Sequence, residues 1–317
     1  MRSVKIDHLA TRETFEEKAY LAANPDVAAA VAAHAGLTTG RQHFDTYGMH
    51  ENRRIRLTKP IKALRRRKLA RLMPHLRTDM PCVRRGDTFD FLTDALREEG
   101  SIVGTDAVSA NPYPTAALEM IGRHPDGLIL DCGAGLRDIY YDGVVNFEIV
   151  PYDTTDIVGI GERLPFRDHC FDGVITLAVL EHVRDPFACA REIIRVLKPG
   201  GELLANVPFL QPLHGYPHHY YNMTHLGLRA LFEPALIVDE VLVPPEGLPI
   251  WTLTWFLRSW AAGLPEPAKT EFLSLNVGEL LSEPPDLLDR PWLRNLSPEA
   301  TIELASLFSL RGRAPPA

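Results

Sequence analysis

Residues 127–135 read GLILDCGAG, a short apolar run that ends in an acid and then Gly-x-Gly. A bounded apolar run of this length fits a strand buried on both faces. Glycines directly after it allow dihedrals closed to other residues and leave no Cβ between the backbone and a ligand. In open α/β sheets the ligand crevice lies at the carboxyl ends of the strands. The dinucleotide fingerprint needs a small residue three positions after Gly135, where Asp138 stands, and a carboxylate suits a pyrophosphate poorly. The phosphate loop GxxxxGK[ST] is absent as well. A ligand without phosphates is therefore the better expectation for this turn.

Outward from it, strands are expected at Leu128–Leu130, Val144–Val150, Thr155–Ile160, Gly173–Leu177 and Gly201–Val207. Helices are expected over DTFDFLTDALREEG, with Asp87 as N-cap and Gly100 as stop, over PTAALEMIGRHPDG, and over Pro186–Leu197. Strands alternating with helices predict a Rossmann-like α/β domain with a mostly parallel sheet. Glu148 ends the second strand, where a carboxylate can accept two ribose hydroxyl protons.

Further along stand GERLPFRDHCFDGVITLAVLEHV (161–183) and AREIIRVLKPGGELLANVPF (190–209). Together with the glycine turn and Glu148, this ordered run resembles the class I S-adenosylmethionine-dependent methyltransferases of the LPFxDxxFDxV, LEHVxDP and RVLKPGG type. The resemblance covers about a hundred residues and implies an enzyme that uses S-adenosylmethionine. It implies that Asp131 and the backbone of Gly133, Ala134 and Gly135 meet the amino-acid end of the cofactor. Glu148 would hold the ribose, Gly161 and Glu162 would border the adenine, and Leu177 and Ala178 would lie beside the sulfonium. Two departures stand out. Ile160 occupies a place where the family often has an acid for the adenine amino group. Only Pro151–Thr154 separates the second and third strands, too few residues for the usual crossover helix.

The segment 207–233, VPFLQPLHGYPHHYYNMTHLGLRALFE, resembles a branch of the same family through His214, Pro217, Tyr220, Thr224, Gly227-Leu228 and Leu231-Phe232. His219 stands where that branch has Asp, and Asn222 where it has Arg. His214 and His219 are the expected acceptor-side residues, with a histidine as a suitable base if the acceptor is a hydroxyl or amine. The four histidines here do not have zinc-site spacing and no cysteine is near, so no metal is expected.

The chain's 317 residues are 45% apolar and 24% charged, the balance of a globular protein, with a net charge of −7. That balance disfavours a whole-chain nucleic-acid binder. Nor does a D/N-P-P-Y/F motif follow the fourth strand, where LEHV stands. Four cysteines without paired spacing predict a reducing, cytoplasmic setting. No signal peptide or membrane span is expected, since the most apolar stretch, IWTLTWFL, is too short.

Charge shifts divide the chain into 1–57, 58–80, 81–233 and 234–317. The first part resembles a short bacterial accessory module with the pattern YLxxNPDV…HFxxxGxxExR, carried by Tyr20-Leu21, Asn24–Val27, His43-Phe44, Gly48, Glu51 and Arg53. That module occurs in surface and glycan-related proteins. From Asn52 to Thr78 there are eleven Lys and Arg and no acid. The amphipathic stretch 59–73 within it is either a linker helix packed by its apolar stripe or a peripheral contact for anionic lipid. From Glu233 onward acids outnumber bases twelve to six. Here Trp251, Trp255 and Trp260 form either an aromatic lid or a packed amphipathic element. The expected function is methyl transfer to a small-molecule or glycan-linked acceptor. A degenerate scaffold of the same fold is the rival, and oligomeric state is left open.

Overall fold

The computed structural model describes residues 1–34, 36–57, 59–102 and 109–306. The chain forms two compact units, Met1–Asn206 and the part from Val207 onward. The division falls after Asn206, and the 207–233 segment lies in the second unit.

The first unit opens with β1 (Ser3–Lys5) and β2 (Asp7–Leu9), then α1 (Glu17–Ala23), α2 (Pro25–Ala32) and α3 (Gly40–His43). Pro25 starts α2, where its missing N–H is not needed. Asn24 donates to the carbonyls of Tyr20 and Arg54 instead of capping the helix. The strand β3 (Arg54–Arg56) pairs antiparallel with β2, and Tyr20, Val27, Phe44 and Ile55 form a small core.

Next comes α4 (Lys59–Leu72), the basic amphipathic stretch. It packs by its apolar stripe, since Ile61, Leu69 and Leu72 are buried. Its charged face is also drawn in: Lys68 is wholly buried and donates to Asp156 at 2.6 Å. The linker-helix expectation therefore describes this element better than the lipid one.

The strands β4 (Val83–Arg85) and β5 (Thr88–Asp90) follow, then α5 (Asp94–Glu99). The expected helix from Asp87 is thus half strand. Residues 88–90 add to a sheet edge, and the helix waits for Thr93, whose hydroxyl accepts from Leu96 N. Gly100 ends it as expected. The helix α6 (Thr115–Arg123) precedes β6 (Ile129–Cys132), β7 (Ile139–Tyr141), β8 (Val144–Glu148), β9 (Ile157–Val158), β10 (Phe171–Leu177), α7 (Pro186–Val196) and β11 (Leu197–Asn206).

Seven strands join in the order β11-β10-β6-β8-β9-β5-β4, all parallel except the β4–β5 hairpin. This is a Rossmann-like sheet in which β6 lies between β10 and β8. Side chains alternate between its faces. Ile129 of β6 packs with Ala117, Met120 and Ile121 of α6. Cys132, on the opposite face of β6, lies toward Cys189 of α7. Helices therefore cover both faces. Two crossovers are trimmed: 133–143 holds β7, paired with β1, and 149–156 holds no helix.

The second unit contains α8 (His225–Phe232) and α9 (Pro249–Ala262), then shorter helices. Trp260 stacks on Phe272 and adjoins Trp292 in its core.

Candidate active site

The winding order switches at β6, which has β8 on one side and β10 on the other, all parallel. Gly133 and Gly135 both have left-handed dihedrals, φ +79° and +61°. The N–H groups of Gly133 and Ala134 donate to Phe147 O at 2.9 and 3.0 Å, which ties the turn to β8. A Cβ on Gly133 would be driven into the Val179 side chain, and one on Gly135 into the Ser109 carbonyl. The turn is thus a close-approach point for backbone as well as a bend.

Glu148 ends β8 on the same face as Asp131, because Asp131 pairs with Asn146 in register and alternation does the rest. Its carboxylate accepts N–H bonds from Gly135 (2.8 Å) and Ile149 (2.7 Å), one to each oxygen. Burial raises its pKa, against the lowering by the backbone N–H groups of Gly135, Ile149 and Val150. A carboxylate offers about four lone-pair sites, so acceptor capacity remains for a ribose hydroxyl.

Asp131 is placed differently from its expected role. It is fully buried, and Arg137 grips both its oxygens at 2.8 and 3.1 Å. The Tyr113 hydroxyl adds a third bond at 2.6 Å. The Arg137 guanidinium also lies 4.2 Å from the centre of the Tyr113 ring and donates to Asn111 O. This cluster holds the 109–113 segment against the glycine turn, and Leu136 N donates to Ser109 O at 2.7 Å. Arg137 and Tyr113 were not singled out by the sequence reading. The cue was an arginine six residues after the acid, within the same turn.

Beyond β9, Gly161 packs so closely on α7 that a Cβ would meet Cys189 Sγ. Glu162 accepts from Arg184 N at 3.0 Å. Ile160 is half-buried beside Leu92, Ile102 and Val158. Leu177 ends β10 and packs into the α6 cluster. Ala178 follows with φ +54°, rare for a residue with a side chain, and its N–H donates to Asn206 O. The loop 178–185 is therefore pinned at two points, by Val179 against Gly133 and by Arg184 on Glu162. Between them sits Glu181, wholly buried, with neither carboxylate oxygen hydrogen-bonded. Thr176 Oγ1 is the other orphaned buried oxygen among the described residues, but alternation from Ile175 turns it toward the α7 face. Burial pushes the Glu181 carboxyl up to about 8.

A model of the methyltransferase domain family matches residues 143–205, from the start of β8 to the end of β11. The central part of the chain is a class I S-adenosylmethionine-dependent methyltransferase domain. Among curated proteins, YafE of Escherichia coli (strain K12), described as uncharacterized, is 48% identical over 32% of this chain and 54% of its own length. The ubiquinone/menaquinone biosynthesis C-methyltransferase UbiE of Shewanella woodyi is 44% identical over 20% of this chain and 24% of its own. The chain thus spans about half the length of the first relative and a quarter of the second. A solved SAM-dependent methyltransferase from Thermotoga maritima aligns over 37% of this chain and 68% of its own, with 20% identity and a TM-score of 0.28.

The methyltransferase domain's residues fit the cofactor. Glu148, half-buried, and Glu181, buried, have unused acceptor capacity, and the glycine turn brings backbone to the same sheet edge.

The second unit holds the histidine loop. His214 Nδ1 lies 2.8 Å from Pro212 O, so Nδ1 carries the proton and Nε2 the lone pair. Its backbone N–H donates to His219 Nδ1 at 3.1 Å. His219 Nε2–H then donates to Asn222 Oδ1 at 3.0 Å, and Asn222 Nδ2 donates to Gln211 O. The two departures from the family pattern, His219 and Asn222, are partners of each other. Burial lowers the His214 pKa and favours the neutral imidazole. The Trp255 ring lies 5.1 Å from that of His214, while Trp251 is exposed and donates to Pro245 O.

Proposed function

We infer that this chain transfers a methyl group from S-adenosylmethionine to an oxygen or nitrogen of a sugar- or glycan-linked acceptor. The observation that carries the cofactor half is Glu148: a half-buried carboxylate at the end of the second strand, bonded to the glycine turn and with acceptor capacity left. When bound, the cofactor supplies a methyl group already activated by its sulfonium. The chain's own tasks are then to bind, to orient and to exclude water. Glu148 accepts from the ribose hydroxyls, and the Gly133–Gly135 backbone meets the amino-acid end of the ligand. Gly161 and Glu162 border the adenine, and Leu177 and Ala178 border the reacting end.

On the acceptor side, His214 is the base and His219 orients it. The support is the tautomer order just described: His214 Nδ1–H is given to Pro212 O, which leaves the basic lone pair on Nε2. The glycan-linked class rests on the N-terminal module's resemblance and on a recess lined by His214, His218, His219 and Tyr220. Such side chains suit hydroxyl-rich ligands, because they donate and accept without charge.

The test is methyl-label transfer. Methyl-labelled S-adenosylmethionine is incubated with the chain and with sugar nucleotides, lipid-linked sugars and small amines in separate reactions. Label on a sugar, lost in His214→Gln, supports the reading. Label on the amine set alone removes the glycan class. Cofactor binding without turnover on any acceptor favours the scaffold reading.

A further inference from the structure

Two observations at the carboxyl edge of the sheet are connected. The acid expected to meet the amino-acid end of the cofactor, Asp131, already has both oxygens engaged and its charge matched. Arg137 and Tyr113 make three bonds to its two oxygens, and its charge is already balanced by a guanidinium in a fully buried cluster. A second cation brought to that carboxylate would share a single negative charge with the buried Arg137 guanidinium.

A few residues beyond β10 lies an acid in the opposite condition. Glu181 is 0% exposed and neither of its oxygens has a hydrogen-bond partner. His182 Nε2, at 3.8 Å from Oε1, is outside hydrogen-bond range. Leaving a buried acceptor unmatched is costly, and a fold retains such a group when something outside the chain completes it. The loop that carries Glu181 is held at both ends. Val179 fills the space beside Gly133, and the N–H of Arg184 is bound by Glu162 after the third strand. Glu181 therefore sits on a fixed span between the glycine turn and the 161–163 turn. Ala178 and His182 on the same span are more exposed than Glu181, so its carboxyl is turned inward, beneath the loop.

We propose that Glu181, and not Asp131, receives the α-ammonium group of the cofactor's methionine moiety. The proposal rests on the cofactor reading above and assigns one atom group within it. The ligand supplies what the site lacks, a cation with three N–H donors. Asp131 becomes a positioning residue that holds Arg137, Tyr113 and the 109–113 segment around the turn.

The experiment compares two ligands in calorimetric titrations: S-adenosylhomocysteine, and its desamino analogue, in which the α-ammonium is replaced by hydrogen. Wild-type protein should prefer the amino form by about 10- to 100-fold, the range of a hydrogen bond between charged groups. In Glu181→Gln, which keeps the shape, that preference should shrink to within about threefold, with the desamino form bound as in wild type. An unchanged preference in a folded Glu181→Gln overturns the proposal. So does a wild-type protein that binds both ligands equally, a result that needs no variant. A wild-type protein that binds neither overturns the cofactor reading and this assignment together.

Discussion

The Lys68–Asp156 pair gives a prediction whose size follows from the structure. Lys68 and Asp156 are both wholly buried, and Lys68 Nζ sits 2.6 Å from Asp156 Oδ2 and 3.6 Å from the centre of the Tyr140 ring. Asp156 also accepts from Arg65 Nε at 3.2 Å, from the Tyr140 hydroxyl and from Asn146 N at 2.9 Å. Breaking a buried pair from one side costs about 3–5 kcal/mol. Because Arg65 and Tyr140 stay with Asp156, Lys68→Ala should fall at the low end, about 3 kcal/mol. For a unit of roughly 200 residues that is a loss of about 6–12 °C in Tm. Lys68→Met keeps the stem's packing and should lose less. The pH dependence separates charge from packing. Burial holds Lys68 at about 8, below its free value of 10.5. Between those values the unfolded chain binds more protons than the folded one, so stability rises with pH in wild type relative to Lys68→Met. Thermal unfolding followed by circular dichroism across pH 7–10 checks both points. A Lys68→Ala shift under about 2 °C would refute the claim that α4 is part of the sheet domain's core.

Other outcomes follow from the site. Gly133→Ala forces a Cβ into Val179 at φ +79° and should weaken cofactor binding at least tenfold, about 1.4 kcal/mol. Adding Val179→Ala should restore part of it, and no restoration would show that the clash is not the cause. His214→Gln should cut turnover by about a hundredfold or more while cofactor affinity moves less than threefold. The acid limb of the wild-type pH–rate profile should lie below the ordinary histidine value of 6.5, because burial lowers the His214 pKa. Glu181 has a folded pKa near 8 against 4.5 unfolded. It binds more protons folded, so its contribution is present below pH 4.5 and is lost as pH rises through 8. The loss is at most about 5 kcal/mol. Glu181→Gln should flatten that decline in chemical-denaturation curves, and an equally steep decline would place its source elsewhere.

The sheet was readable because its strands announce themselves locally. GLILDCGAG has an apolar run, an acid and turn glycines in sequence, and β6, β8, β10 and α7 appear close to their expected limits. The hairpin of β4 and β5 was not readable. TFDF alternates like a strand, but it is stable as one only because the β9 edge is open to receive it, a tertiary fact. Lys68 shows the same limit: in sequence it is one of eleven bases in a cationic run, and only the position of Asp156 explains its burial. At the site, residue types identified Glu148 and the glycines. They could not show that Arg137 neutralises Asp131 or that neither Glu181 oxygen is hydrogen-bonded, because both depend on which side chains meet in space.

The central claim is that Glu148 and the glycine turn hold S-adenosylmethionine. Its most direct test is calorimetric titration of S-adenosylmethionine into wild-type protein and into Glu148→Ala. The account predicts one site per chain in wild type. Loss of hydrogen bonds to a charged group should weaken Glu148→Ala by about 10- to 150-fold, or 1.5–3 kcal/mol. No binding by the wild type, or unchanged affinity in a folded Glu148→Ala, would contradict it.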